Sequence, residues 1–488
     1  MHKPNIVMIV SDHQLYRHHH VKRPCFETFQ EQAFSFEQAC CCTPLCGPAR
    51  RTLLSGLYPH NHKNLYNQFP APFTEETYLE ILAENGYRNY VFGKWHAGPG
   101  TALDHASSGF SPEGYGNPYI TAEYQSYLEK HHLPIPLHAI DMVFPNKNTA
   151  ETFPSLVKGE PSYTCDKYWC GEPCVGKTVT PKETHEAFFL SSLASEKLEE
   201  LAEHRDGPFH LRVDFWGPHQ PYFPTQEYLD LYDETLIPEY PNFKDDLSGK
   251  PETYRHMNSP IADENGNLII PSVFPWETWR HYLKSAYAQS TMVDDAAGRI
   301  IETIERTGLA DDTIIIWTSD HGDALASHGG MFDKGSFMTE EIVRIPLAIK
   351  VPGRQGRSSA FVNTMDIAPT ILDMAGTQFR QSVDGESLLP LINGTKELLR
   401  TDMMLESYGQ GYRDTTKVKC LLTGSYKYCY TENDMDELYD LNKDPYELRN
   451  LTLVDSYQSL RKDCYERLLA LTEEYGETDH RWMRYGNE

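Results

Sequence analysis

Cys46 stands where the sequence predicts the start of a helix. It opens segment 46–56, in which Pro48 falls in the first turn and Gly56 at the end, the positions that proline and glycine favour. The free N–H groups and the dipole of such a helix attract a phosphate or sulfate group, and Arg50, one turn on, adds a fixed positive charge. A lone cysteine is otherwise a small buried apolar residue, but these neighbours favour a nucleophile that attacks an anionic ester.

Two apolar runs end in an aspartate. Residues 6–10 lead into Asp12, and residues 313–318 lead into Asp320 and His321. Both runs are rich in β-branched residues and nearly continuous, which is typical of strands buried on both faces. Ligands bind beyond the carboxyl ends of strands in open α/β sheets, so Asp12 and Asp320 are expected to converge there. One such aspartate commonly caps a helix instead, but two carboxylates beside an anion site require a hard divalent cation such as Ca²⁺.

Segment 46–56 resembles the signature of type I, formylglycine-dependent sulfatases, which is Cys-x-Pro-x-Arg followed by a helix that stops at a small residue and Gly. In that family, part of the alkaline phosphatase superfamily, a separate maturation enzyme oxidises the Cys to formylglycine. Its hydrated aldehyde supplies the attacking oxygen, and the Arg holds it in place. The resemblance implies that Cys46 is the nucleophile precursor and Arg50 its anchor. The cysteines at 40–42 lack an Arg at the required place and are interpreted as packing or incidental thiols.

The two strand-end acids resemble the metal site of the same family. The resemblance implies Asp12, Asp320 and His321 as ligands. The oxygen made at Cys46 and the sulfate of the substrate complete the coordination. Many sulfatases place a second Asp where His13 stands and others place Gln, so the resemblance leaves His13 open. One divalent ion is expected, with Ca²⁺ preferred, while the imidazole of His321 keeps Mg²⁺ and softer ions as alternatives.

Three loops resemble further parts of the family site. Residues 93–98 resemble Gly-Lys-Trp-His-x-Gly, which implies that Lys94 binds the sulfate and His96 orients the nucleophile. A Pro-His-x-Pro sequence around His219 resembles the loop whose His contacts the leaving-group oxygen, a natural general acid near neutral pH. Lys334, beyond the second acidic strand end, matches a second sulfate-binding lysine.

Apolar runs alternate with amphipathic helical stretches along the chain, which predicts an α/β fold. The resemblance implies the alkaline-phosphatase-like form of this class, a central and mostly parallel sheet flanked by helices. It extends to residues 366–372 and 438–445 and therefore covers nearly the whole chain.

The last part of the chain predicts a smaller α+β subdomain. Short antiparallel strands are expected at 403–405, 418–422 and 426–430, and a helix at 458–475. A turn near 390–394 marks the expected boundary between a catalytic domain, 1–394, and the C-terminal subdomain, 395–488.

The composition is that of a globular protein, with 488 residues, 40% of them apolar and 23% charged. Because no run of about 18 apolar residues occurs, no membrane span is expected. The chain start runs directly into the first apolar strand and lacks the cleavage site of a secretory signal. Eleven cysteines, an odd number and unevenly spread, argue for a reducing compartment. We therefore expect a cytoplasmic location.

The net charge of −26 argues against nucleic acid or an anionic membrane as a partner. An enzyme that attracts a sulfate ester then needs local positive charge, for which Arg50, Lys94 and Lys334 are the candidates.

These features predict a sulfuric ester hydrolase that cleaves a sulfate monoester. Two alternatives remain: a phosphodiesterase or phosphonate monoester hydrolase with the same nucleophile, and a catalytically silent binding protein in which Cys46 stays unmodified. The resemblance implies that related diesterases tend to carry smaller or neutral residues in place of the Lys and His found here at positions 94 and 96. This chain keeps both residues, which favours a sulfate monoester as the substrate. Aryl, choline and carbohydrate sulfates all stay open as substrates, and the sequence does not indicate an oligomeric state.

Overall fold

The structure is a computed structural model that describes residues 3–17, 20–143, 163–164, 174–257, 275–411 and 415–483. The strands in these ranges are β1 (Asn5–Asp12), β2 (Phe34–Cys40), β3 (Arg88–Gly93), β4 (Ser107–Phe110), β5 (Leu137–Val143), β6 (Tyr163–Thr164), β7 (Cys174–Thr178), β8 (Phe209–Pro218), β9 (Thr313–Ser319), β10 (Leu347–Lys350), β11 (Gly356–Asn363), β12 (Asp402–Ser407), β13 (Val418–Thr423), β14 (Tyr426–Thr431) and β15 (Glu437–Asp440). The helices are α1 (Pro24–Gln32), α2 (Cys46–Ser55), α3 (Pro59–His62), α4 (Tyr78–Glu84), α5 (Ala122–Lys130), α6 (Glu186–Glu203), α7 (Gln226–Leu229), α8 (Glu252–Met257), α9 (Trp276–Arg306), α10 (Glu340–Val343), α11 (Ile367–Met374), α12 (Leu389–Ile392) and α13 (Gln458–Glu474).

Apolar, β-branched residues form the middle of the largest sheet. Its strands lie in the order β11-β2-β10-β9-β1-β8-β3-β4. β1 is parallel to both β8 and β9, whereas β10 runs antiparallel to β9 and β2. Every residue of β1, β8 and β9 is buried, as expected of parallel strands covered on both faces. The predicted α/β fold with a mostly parallel central sheet is confirmed.

Alternate residues of β1 face two hydrophobic cores, because successive side chains of a strand point to opposite faces. Val7 and Ile9 pack with side chains of α6 and α9 on one face. Ile6, Met8 and Val10 pack with α2, α4 and α11 on the other. Helices therefore cover both faces of the sheet. A ligand-binding site can then form only at the edge of the sheet, beyond the ends of its strands.

Parallel pairing brings the carboxyl ends of the central strands to one edge. Ser11 of β1 pairs with Ser319 of β9, so that the next residues, Asp12 and Asp320, lie side by side. On the other flank of β1, Val10 pairs with Asp214 of β8. The predicted convergence of the two strand-end acids follows from this register.

The C-terminal part forms a second sheet, in which β12, β13, β14 and β15 follow one another in antiparallel order. Helix α13 packs on it through an apolar core that includes Met404, Leu421 and Leu468. The strands and the helix predicted here are confirmed to within two residues, although β15 was not predicted. The domain boundary at residue 394 stays a prediction.

A third, smaller sheet has the order β6-β5-β7. In the ranges that the structure describes, no helix combines the length and the apolar character needed to cross a membrane.

Candidate active site

The helix predicted from the proline and glycine pattern begins at Cys46 and ends at Ser55. Gly56 follows it as the cap, with a φ of 70°, the left-handed value that glycine tolerates. The Cys46 side chain is almost fully buried, and its Sγ lies 3.1 Å from Nε2 of His321. Nδ1 of His321 lies 2.8 Å from the Gly322 carbonyl oxygen, so the ring proton sits on Nδ1 and the lone pair of Nε2 faces the sulfur. Burial, followed by the charge of Asp12, raises the pKa of the Cys46 thiol.

Four side chains around this contact could hold a metal ion. Asp12, Cys46, Asp320 and His321 each offer one ligand atom, and these atoms lie within 4.8 Å of one another. Oδ1 of Asp12 is buried and has no hydrogen-bond partner among the described residues, and it lies 3.8 Å from Nε2 of His321. Burial lowers the pKa of His321, which keeps the imidazole neutral, the form that binds metals. The structure thus brings together all four residues predicted for the metal site.

The guanidinium of Arg50 lies beneath this cluster. Its Nε donates to Oδ2 of Asp320 at 3.0 Å, and its Nη1 donates to Oδ1 of Asp214 at 2.9 Å and to the Lys94 carbonyl oxygen at 3.1 Å. Nη2 lies 3.8 Å from Oδ2 of Asp12. Burial disfavours the charge of Arg50, but the three carboxylates outweigh it and raise its pKa. Arg50 therefore neutralises the acids that surround the cluster and ties the start of α2 to the strand ends.

Lys94 follows β3 and is buried against Asp12. Its Nζ pairs with Oδ2 of Asp12 and lies 3.9 Å from the centre of the Tyr115 ring. Burial would raise the pKa of Asp12, but Lys94 and Arg50 hold it well below its usual range. Asp12 therefore stays ionised, and its free oxygen Oδ1 keeps its negative charge available to a cation.

A cavity of about 570 Å³ opens beside Cys46. Its wall includes three other residues predicted for the site, His96, His219 and Lys334. Burial, with Lys94 and Arg50 next, lowers the pKa of His96 well below its usual value, so this ring is neutral.

His13 belongs to a second network that meets the first. Its Nε2 lies 2.9 Å from Oδ1 of Asp333 and 3.2 Å from Nζ of Lys334, and its Nδ1 lies 3.0 Å from Oε1 of Gln220. Its ring stands edge-on to that of His321 at 4.8 Å. His13 thus stands next to the four-residue cluster, with its ring nitrogens directed at residues outside it.

His219 stacks on His13, with ring centres 4.5 Å apart. Its Nδ1 lies 2.7 Å from the Gln220 carbonyl oxygen, which places a proton on Nδ1 and leaves Nε2 free for other contacts. Burial, followed by the neighbouring His13 and Lys334, lowers the pKa of His219 well below its usual value. The ring is therefore neutral at pH 7, and its role as a general acid stays a prediction.

Several residues of this site were not predicted from the sequence. Asp214 lies inside β8, where polar residues alternate with apolar ones, so it lacks the signal of an acid that follows an apolar run. Tyr115, Asp333 and Gln410 lie in loops, where nothing in the local pattern distinguishes them. Gln410 reaches the cavity from the segment after β12, and its Nε2 donates to the Lys334 carbonyl oxygen at 3.0 Å.

Comparison with known proteins shows which family the sequence of this chain matches. A sequence model of the family described as Sulfatase matches residues 4–377, and one described as N-sulphoglucosamine sulphohydrolase, C-terminal, matches residues 327–474. The chain is 27% identical over 469 residues to a choline-sulfatase of Rhizobium meliloti (strain 1021), covering 92% of this chain and 82% of that protein. It is 23% identical to an N-acetylglucosamine-6-O-sulfatase of Bacteroides thetaiotaomicron, covering 98% of this chain and 88% of that protein.

Solved structures share the fold. A phosphonate monoester hydrolase of Agrobacterium radiobacter superposes with a TM-score of 0.77 at 21% identity, covering 97% of this chain and 96% of that one. A protein solved in complex with its substrate D-glucosamine-2-N,6-O-disulfate gives a TM-score of 0.71 at 20% identity, covering 98% of this chain and 99% of that one. Because the Sulfatase model spans well over half of the residues, the chain belongs to the sulfatase family, within the alkaline phosphatase superfamily.

Proposed function

We propose that this sulfuric ester hydrolase cleaves sulfate monoesters with a formylglycine made from Cys46 and with one divalent metal ion. The observation that carries the proposal is the contact between Sγ of Cys46 and Nε2 of His321, inside a cluster of ligand atoms that also includes Asp12 and Asp320 and borders the cavity.

The state of Cys46 supports its modification. A thiol whose pKa is raised by burial is a weak nucleophile at neutral pH, since the thiolate is the reactive form. The hydrated aldehyde of formylglycine supplies an oxygen for the attack on sulfur. Arg50 holds the helix that carries position 46, because its guanidinium bonds to Asp320, which follows β9, and to Asp214 of β8.

The ligand set supports a hard cation. Asp12, Asp320 and His321 would hold the metal, whose charge stabilises the negative oxygens of the sulfate group. Ca²⁺ prefers oxygen ligands, so the set suits it once position 46 carries oxygen in place of sulfur. Mg²⁺ stays an alternative among the hard ions that bind carboxylates, and the nitrogen of His321 keeps a softer ion as a further alternative.

The positive side chains have separate tasks in this proposal. Lys334 lines the cavity and binds the sulfate, while Lys94 balances Asp12 and adds positive charge beside the metal cluster. His219 protonates the leaving alcohol from Nε2, since its Nδ1 is engaged by the Gln220 carbonyl oxygen. The negative charge of a bound sulfate ester favours the second proton on this ring. His96, neutral and in the cavity wall, orients the nucleophile.

The cavity rim favours an alcohol part that carries hydroxyl groups, and we propose a sulfated sugar as the substrate class. Asn67, Gln68 and Gln410 line the cavity with amide groups, which exchange hydrogen bonds with hydroxyls. The kcat/KM for N-acetylglucosamine 6-sulfate should therefore exceed that for choline sulfate. A preference for choline sulfate would show that the rim recognises a cation instead.

The decisive experiment is a mass spectrum of the peptide that contains Cys46, after expression with and without a formylglycine-generating maturation enzyme. The proposal expects the mass decrease that conversion of a CH2–SH group to an aldehyde requires, and sulfatase activity, on an aryl sulfate or on N-acetylglucosamine 6-sulfate, in proportion to it. Complete conversion without sulfatase activity, but with activity on a phosphodiester or phosphonate monoester, would favour the alternative hydrolase. An unmodified Cys46 in the native host would favour the silent binding protein.

A cytoplasmic location is proposed on the cysteines. The nine that the structure describes are all free thiols, and their odd total in the sequence fits a reducing compartment. Localisation of a tagged chain in the native host tests this.

A further inference from the structure

The turn that carries His219 needs support from side chains. It begins at the last residues of β8 and contains Pro218 and Pro221, which have no N–H group to donate to the backbone. Two buried polar side chains from two different helices, Gln289 of α9 and Glu186 of α6, make hydrogen bonds to the backbone of this turn.

Gln289 makes three hydrogen bonds to the turn through one amide group. Its Nε2 donates to the carbonyl oxygens of His219 and Pro221, both at 3.1 Å. Its Oε1 accepts from the Phe223 N–H at 2.7 Å. Gln289 is 2% exposed, so these bonds are shielded from water and costly to leave unmade. One side chain therefore fixes both the start and the end of the turn.

Glu186 holds the other side of the turn. It is the first residue of α6 and is 1% exposed, and its Oε1 accepts from the Gly217 N–H at 2.9 Å. Burial raises the pKa of Glu186 to about 8, so at neutral pH it is an uncharged acid. A Cβ at Gly217 would lie only 2.5 Å from Cγ2 of Val293, which shows how closely the backbone is packed here.

The ring of His219 depends on this backbone. Its Nδ1 is engaged by the carbonyl oxygen of the adjacent Gln220, so the direction of Nε2 follows the backbone at 219–220. The ring also lines a small cavity of about 20 Å³ together with Glu186 and Gln289, and it lines the larger cavity beside Cys46.

We propose that Glu186 and Gln289 are positioning residues for His219, holding residues 217–223 so that Nε2 of His219 reaches the leaving-group oxygen. The proposal rests on the proposed function, in which His219 protonates that oxygen. A positioning role predicts an effect that depends on the leaving group, because a poor leaving group needs the proton and a good one does not.

The test uses 4-nitrophenyl sulfate and phenyl sulfate with formylglycine-containing enzyme. Gln289→Met keeps the volume and removes all three hydrogen bonds, and Gln289→Glu keeps the acceptor for Phe223 while it removes both donors. Both variants should lose at least about tenfold more kcat/KM on phenyl sulfate than on 4-nitrophenyl sulfate. Glu186→Ala should show the same selectivity, whereas Glu186→Gln keeps the acceptor for Gly217 and should behave as the wild type.

Thr303→Val is the matched control, since Thr303 is a buried polar residue of the same helix α9. Its hydroxyl donates to the Arg299 carbonyl oxygen and contacts the hydroxyl of Ser195. Any loss in that variant should be equal for the two esters. Equal losses for both esters in folded Gln289 and Glu186 variants would overturn the positioning role while sulfatase activity stands. A wild type with converted Cys46 that cleaves neither these two esters nor N-acetylglucosamine 6-sulfate would overturn the proposed function and, with it, this inference.

Discussion

Arg50, on the helix that begins at Cys46, donates from Nε to Oδ2 of Asp320, which follows β9, at 3.0 Å. The bond joins the nucleophile helix to the strand end that offers a metal ligand. The same guanidinium also contacts Asp214 and the Lys94 carbonyl oxygen, so its flat, forked shape holds three segments in one arrangement.

Arg50→Lys should therefore fail although it keeps the charge. A lysine has one nitrogen and cannot reach acceptors spread around a plane. We expect kcat/KM to fall by about 10- to 100-fold, the usual effect of losing a residue that orients metal ligands, and the metal content to fall with it. Arg51→Lys is the matched control, because Arg51 is the next residue in the chain and is also buried, but its side chain pairs with Glu75 and not with the strand-end acids. A similar loss in both variants would show that the effect is general to the helix.

Cys46→Ala should abolish turnover and leave the fold intact, since alanine is accepted at a helix start. Cys46→Ser should also fail in most hosts. Kinetics with an aryl sulfate and a circular dichroism spectrum measure both parts of this prediction. Cys25→Ala is the control, because Cys25 also lies in the first turn of a helix, α1. An active Cys46→Ala enzyme would contradict the assignment of the nucleophile.

Asp12→Asn should remove the bound metal and most of the activity. The substitution keeps the shape of the side chain but removes the charge that a cation needs, and Asp320→Asn should act in the same way. Metal analysis of the purified variants and reversible loss of activity on chelation are the measurements. Asp294→Asn, a change at a buried acid that accepts from the backbone N–H groups of α1, should retain metal. Full activity after exhaustive chelation would exclude the metal site.

Glu186→Gln should change how stability depends on pH. The pKa of Glu186 is about 8 in the folded protein and about 4.3 in an unfolded chain. Between these values the unfolded state binds fewer protons, so the free energy of unfolding falls as pH rises from about 4 to about 8. The amide cannot ionise. The free energy of unfolding of the variant should therefore exceed that of the wild type by on the order of a few kcal/mol at pH 9, but by little at pH 4. Urea unfolding at both pH values tests this, and an equal difference at the two would refute it.

An aryl sulfate should be a better substrate than the matched phosphodiester or phosphonate monoester. Two lysines and a divalent ion suit a compact anion without a second substituent, and this chain keeps both Lys94 and His96. Lys94→Ala should narrow the preference through loss of sulfate turnover, with the diester rate of the same variant as the internal control. Matched nitrophenyl esters supply the kinetics, and a wild-type preference for the diester would support the alternative hydrolase.

The local sequence predicted the strands β1 and β9, the helix that starts at Cys46, and the two strand-end acids, because each is a short contiguous pattern, while the central sheet was implied by the family resemblance. Parallel strands share an edge at their carboxyl ends, so the meeting of Asp12 and Asp320 followed from the pattern. The C-terminal strands β12, β13 and β14 were predicted for the same reason. The assigned roles of the site residues and the boundary at residue 394 stay predictions.

Only the tertiary structure shows which side chains from distant segments contact the predicted site residues and hold them in position. Gln289 lies in a long helix, and nothing in the local sequence distinguishes it from the other polar residues there. Its three hydrogen bonds form because α9 packs against a turn about 70 positions away in the chain. His13 could be placed on Asp333 and Lys334 only once the loop after β9 had folded back over β1. Such contacts depend on the packing of segments far apart in the chain, and neither periodicity nor local motif records which segments will meet.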